Sequence, residues 1–183
     1  MYNDDLFSMN HQPIKSESIA GLLVFIQDCN WIGQYKAIIG LHNLGSNFIN
    51  HDNEDEILGM GIVPKVVQLL RRLDHPYIQT KALSVLSQIA QSVSRESFNA
   101  YFNEQVIPFE YLMDCLSSKS NLTVENTLCL LAKLSKKRYK ILHDDSNMRL
   151  IIILEDVLIR LTSNGQKLTH FISFLLTIFP KIS

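Results

Sequence analysis

Apolar positions in this 183-residue chain fall in helical stripes, and the period-two alternation of a half-buried strand is absent from every long one. Val63, Val66, Val67, Leu69, Leu70 and Leu73 make one stripe, with Pro64 suited to a first helical turn. After a break at Asp74, His75 and Pro76, a second stripe runs through Ile78, Ala82, Leu83, Leu86, Ile89 and Ala90. The pattern predicts helical pairs, with a short extra helix before each at about 54–60, 95–104 and 138–144.

The pairs repeat. Leu41, Leu86, Leu131 and Leu176 recur every 45 residues, and Leu44, Ile89, Leu134 and Phe179 follow three positions later. The same interval relates Leu22, Val67, Leu112 and Val157, and also Ala37, Ala82, Thr127 and Ile172. Several registers at one spacing predict a stack whose core is buried between neighbouring units. The units run over about 18–50, 51–93, 94–137 and 138–183, after a polar lead-in at 1–17, and together form one elongated all-α domain.

Composition narrows the function classes. Seven Gly, five Pro and 46% apolar residues fit a chain dominated by regular structure with a real core. Seventeen Lys and Arg against 18 Asp and Glu leave a net charge of −1, which supplies no global field for nucleic acid or an anionic membrane. Cys29, Cys115 and Cys129 lack CxxC spacing, so neither a disulfide framework nor a thiolate zinc site is expected, and a reducing cytoplasmic or nuclear setting fits best. The opening MYNDDLFSMNHQ reads as neither a secretory signal nor a transit peptide. The apolar stretch 168–180 is too short to span a bilayer, which takes about 20 residues, so no membrane insertion is expected.

A 42–47-residue period with three helices per unit is the signature of armadillo and HEAT arrays. EILGMGIVPKVVQLL at 56–70 resembles the short helix, Gly-x-(Ile/Val)-Pro turn and second helix of an armadillo repeat, and YIQTKALSVLSQIA at 77–90 resembles its third helix. QVIPFEYLMDCL at 105–116 and LTVENTLCLLAKLS at 122–135 resemble the next unit. Within armadillo proteins the likeness is greatest to importin alpha, the adaptor that carries nuclear-localisation peptides. The resemblance implies a right-handed superhelical α-solenoid of about four repeats. It also implies an extended peptide or protein segment bound along the third-helix face.

Residues carried to that groove are Tyr35, Ile39, Asn43, Thr80, Ser84, Gln88, Glu125, Cys129 and Lys133. Importin alpha places Trp and Asn one turn apart there. This chain has Ile39, Ser84, Cys129 and Phe174 at the Trp positions and Asn43, Gln88, Lys133 and Ile178 at the Asn positions, so no Trp-Asn pair is present. Residues 1–17 contain one Lys and no Arg where the family carries an Arg-rich segment that binds importin beta. Glu125 is the one acid among the groove residues and Lys133 opposes it, which gives a lysine-rich ligand little electrostatic preference. The competing expectation is an assembly scaffold or chaperone-cofactor subunit that uses its terminal surfaces.

Candidate chemistry elsewhere is sparse. The six His show no HxxxH or HExxH spacing, and no GxSxG or phosphate-cradling loop occurs, so no enzyme, small-molecule substrate, cofactor or metal is expected. Cys115 sits in an apolar stripe as a core thiol. Asp52, Glu54, Asp55 and Glu56 open a helix, where carboxylates suit the dipole. Lys133, Lys136, Lys137, Arg138 and Lys140 read as a solvated helix end or a patch for phosphate or an acidic peptide. Trp31 is expected to seal the N-terminal end of the stack. Residues 168–180 leave almost no polar face, so Phe174 and Ile178 are expected to be covered by a second copy, a further repeat or a partner, or to be drawn into a closing core.

Overall fold

The computed structural model describes residues 16–27, 30–103, 105–136, 148–163, 172 and 175. Among these the secondary structure is all helical, without strands: α1 (Ser16–Gln27), α2 (Trp31–Asn43), α3 (Glu54–Gly59), α4 (Ile62–Gln68), α5 (Pro76–Ser92), α6 (Arg95–Tyr101), α7 (Phe109–Leu116), α8 (Asn121–Lys136) and α9 (Met148–Ser163), joined by turns and loops. The expected short helices appear as α3 and α6, the latter ending three residues early. The one expected at 138–144 lies outside the described residues, as do Leu176, Phe179 and the proposed contact pair Phe174 and Ile178.

Local chemistry sets the breaks. Asn30 Oδ1 accepts from the Ile32 amide at 3.0 Å and starts α2. Gly61, at φ +73°, turns the chain between α3 and α4 through the left-handed region, where a side chain would strain the backbone. Pro64 follows in the first turn of α4, and Pro76 starts α5, where a missing N–H costs nothing. At Gly40 a Cβ would meet the end of the Leu22 side chain at 3.0 Å, so the glycine lets α1 and α2 approach closely.

The helices stack in two layers. In one, α5 lies between α2 and α8; in the other, α1 touches α4, the 3-10 turn Leu69–Arg71 that extends α4 touches α7, and α7 touches α9. Register residues fill the space between: Leu41, Leu86, Leu131, Val67, Leu112 and Val157 are all fully buried. Thr127 takes the place of Ala37 and Ala82 at no exposure, its hydroxyl satisfied by the Thr123 carbonyl at 2.7 Å. The register fails at its fourth member, since Ile172 is 51% exposed, while Leu175 packs against the core.

Long-range hydrogen bonds join successive units. Thr80 Oγ1 donates to the Pro76 carbonyl at 2.8 Å, and the Thr80 and Thr123 hydroxyls share a hydrogen bond of 2.8 Å in which either can donate. The carbonyl ends of α1, α4 and α7 are each sealed by a donor side chain: Gln34 on Ile26 (3.1 Å), Gln79 on Leu70 (2.7 Å), and Arg160 on Leu116 (3.2 Å) and Ser118 (2.6 Å).

Glu54 opens α3 together with Asp55 and Glu56, as expected of the acidic run, and also makes a link that the run does not suggest. Asp55 and Glu56 stay exposed in the first turn of α3, but Glu54 is buried and reaches the following unit, where its Oε1 accepts from the Ser94 amide (3.0 Å) and hydroxyl (2.8 Å) at the start of α6. Burial alone would raise this carboxyl; hydrogen bonds from Ser97 and Ser94, with His51 nearby, bring it below its ordinary value of 4.5. Because the folded group titrates below the unfolded one, its contribution is complete above about pH 4.5 and is lost as pH falls through the folded value. Glu54→Ala should therefore cost about 1–3 kcal/mol at pH 7 and less at pH 3. Urea melts of both proteins at the two pH values check this; an equal loss at both would mean the carboxylate charge is not what matters.

Candidate functional site

Helices α2, α5 and α8 each leave a narrow stripe open. On α5 this is Tyr77, Lys81, Ser84, Gln88 and Gln91, spaced by three or four residues, while nearly every other position of the helix is buried. The equivalent positions 45 residues away, Ile32, Lys36, Ile39 and Asn43 on α2 and Leu122, Asn126, Cys129 and Lys133 on α8, are also at least partly open. Packing α5 between α2 and α8 sets the three stripes side by side. Ile39, Asn43, Ser84, Gln88, Cys129 and Lys133 thus share one face, with Tyr35 and Glu125 half-buried at its margin.

Two expected groove residues are engaged within the fold. Thr80 is 5% exposed and belongs to the α5–α8 seam through its bond to Thr123, so it does not face a ligand. Lys133 Nζ bridges to the Ser87 carbonyl (2.8 Å) and Gln91 Oε1 (3.2 Å), tying α8 to α5. Burial holds its ammonium below the ordinary lysine range, against an opposing influence from Cys129. Of the basic cluster suggested by the sequence, Lys133 is therefore an inter-helix strut, and 137–140 lie outside the described residues.

Gln88 is held loosely. Its Nε2 meets the His42 carbonyl only at 3.5 Å, the limit of a hydrogen bond, and its buried Oε1 has no partner among the described residues. Turning this amide outward sacrifices little and relieves an unsatisfied acceptor. Burial, with Lys81 nearby, lowers the pKa of neighbouring His42, so its imidazole is neutral at pH 7. Cys115 is fully buried and its thiol is pushed up to about 12, by burial first and then by Asp114, which makes it a packing group.

Trp31 does not seal the N-terminal end. It is 47% exposed and stacks on His75 of the following unit, with ring centroids 4.8 Å apart, while His75 Nε2 lies 3.3 Å from Asp74. Beside it stands a feature the sequence reading missed: Ile32, Tyr77 and Leu122 are 45%, 76% and 54% exposed and recur at the 45-residue interval. The interval was visible in the sequence, but an apolar residue at a helix start looks the same there whether it faces core or solvent.

Two clefts, of about 510 and 430 Å³, are lined by none of the open-stripe residues. They are repeat-equivalent, since Gln34 and Arg72 line one and Gln79 and Ser117 the other, and they mark seams between successive units. Among the described residues no cluster of His, Cys, Asp or Glu could hold a metal ion, and no helix is long and apolar enough to cross a membrane. No protein-family model matches the chain, and no curated protein does.

Proposed function

We propose that this chain is a non-enzymatic armadillo-type module, a right-handed superhelical solenoid of about four repeats and a divergent relative of importin alpha, working in the cytoplasm, the nucleus or both. It binds an extended peptide or protein segment along the face of α2, α5 and α8. The observation that carries the reading is the alignment of three open stripes at one 45-residue register, which offers a ligand similar contacts from each unit. Loosely held Gln88, at a position where importin alpha uses Asn, supports it.

Joint replacement of Ser84, Gln88 and Cys129 by Ala, which leaves the Lys133 strut in place, should abolish capture of the native partner from lysate while the variant stays helical by circular dichroism. Undiminished capture would defeat the groove. A basic monopartite localisation peptide should bind with a dissociation constant above about 10 μM, because Trp-Asn pairs are missing and acid is sparse. Calorimetry checks this, and tighter binding would mean that substitute residues suffice.

A second reading, an assembly subunit that uses its terminal surfaces, is favoured by exposed apolar side chains on both outer helices: Val24 and Phe25 on α1, and Ile152 and Ile159 on α9. Under that reading Ile152→Glu with Ile159→Glu, and not the groove substitutions, would release the partner.

A further inference from the structure

The layer of α1, α4, α7 and α9 repeats one seam, and its two ends carry the two halves of that seam. The sealed carbonyls of Ile26, Leu70 and Leu116 align α1 with α4 and α7. In that alignment Leu22 corresponds to Val66 and Leu112, and Phe25 to Leu69 and Cys115. All four inner residues are buried, and Leu69 lines a cleft together with Ile26 and Gln27, so its position faces the preceding helix of the layer. Phe25 is 55% exposed, because no described helix precedes α1. On α1 itself Gln27 shares the cleft with Pro64 and Lys65 of α4, and Leu22 and Phe25 lie across the buried line Ile19, Leu23 and Ile26 from it.

The opposite half stands on α9. Arg71 reaches over the Tyr111 ring at 5.7 Å, so the side of α4 that carries Val67 and Arg71, one turn apart, faces α7. Leu161, buried and 45 residues after Leu116, places Leu158 in correspondence with Met113 and Val67. Val67 and Met113 are buried, whereas Leu158 is 38% exposed. Along α9 the buried line Leu150, Leu154, Val157 and Leu161 has Ile153 and Arg160 on one side, where Arg160 reaches the end of α7. At about 100° per residue, Leu158 and exposed Ile151 fall on the other side. Stacks of this kind ordinarily turn polar residues outward at their ends. Here both end flanks are apolar: the α1 flank of Ser18, Leu22 and Phe25 carries no charge, and Glu155 borders the α9 flank, so no like charges meet when one is laid on the other. We infer that copies of this chain associate head to tail, with α9 of one copy seated on α1 of the next, continuing the seam that joins α1 to α4 and α7 to α9. The contact is heterologous, so copies add in one direction rather than closing as a two-fold pair. It is independent of any ligand on α2, α5 and α8.

Sedimentation velocity of the full chain over about 5–200 μM is the test. The wild-type mass should rise with concentration past two copies, and the rise should persist at about 0.5 M salt, because an apolar contact is not screened. Phe25→Glu and Leu158→Glu should each stay monomeric over the same range, with circular dichroism confirming their helices. An equimolar mixture of the two variants should form dimers and nothing larger. Only the unaltered α1 of the Leu158→Glu chain and the unaltered α9 of the Phe25→Glu chain can meet, and the outer ends of that pair are both blocked. If Leu158→Glu fails to fold, Ile151→Glu, two turns away on the same flank, takes its place in the mixture. A mixture that stays monomeric while the wild type associates would overturn the head-to-tail contact. So would a wild type that stops at two copies, or a variant that associates as the wild type does. A wild type monomeric throughout would overturn self-association and leave the groove on α2, α5 and α8 standing.

Discussion

Leu86→Ala should lower the unfolding free energy by about 2–5 kcal/mol, the largest loss expected of any single truncation considered for this chain. Leu86 is fully buried in the middle of α5, the helix that packs on both α2 and α8, and it shares the repeat register with Leu41 and Leu131. Removing its side chain forfeits the transfer free energy of the lost carbons and leaves a cavity that helices held on two sides cannot close. Ser84→Ala, two residues earlier on the open stripe, deletes one hydroxyl at a half-buried position and should change stability by less than about 0.5 kcal/mol. Urea denaturation followed at 222 nm gives both values. A Leu86 loss no larger than that of Ser84 would place the core elsewhere and remove the basis for the stack.

Arg160→Met should cost about 2–3 kcal/mol and act locally, releasing α9 from the rest of the chain. The Arg160 guanidinium reaches the exposed carbonyl end of α7, where one N–H group donates to Ser118 O at 2.6 Å and another to Leu116 O at 3.2 Å. Charge-assisted bonds to a helix C-terminus are the stronger kind, and the fork geometry lets one side chain satisfy two carbonyls. Its Nε has no partner among the described residues, which offsets part of the gain. Amide hydrogen exchange should accelerate in α9 while α5 stays protected. Arg160→Lys should fall between, because an ammonium keeps the charge but loses the fork. Uniform acceleration across all helices would show that α9 and the core unfold as one unit.

The sequence made the core legible because burial there follows from periodicity. Leu41, Leu86 and Leu131, the break before Pro76, and the short helices α3 and α6 all follow from apolar spacing and turn residues close in sequence. Polar links between units were hidden for the opposite reason. Glu54 looked like one carboxylate among four at a helix start, and only the placement of Ser94, 40 residues on, makes it a buried acceptor. Lys133 looked like part of a solvated basic patch until the Ser87 carbonyl came within 2.8 Å. For the candidate site, helical spacing groups Ser84 with Gln88 and Cys129 with Lys133, but it could not show that Thr80 turns into the seam between α5 and α8, because that depends on the partner Thr123. Tyr77 illustrates the remaining gap. At 76% exposed it is the most open large apolar residue described, yet by pattern it adjoins a core stripe that begins at Ile78.

The central claim is that a partner lies along the open stripes of α2, α5 and α8. It is tested most directly by amide hydrogen exchange of the full chain with and without its captured partner. The account predicts slower exchange in α2, α5 and α8 together, with α1 and α9 unchanged. Protection confined to α1 or α9 would contradict it and assign the contact to the ends of the stack.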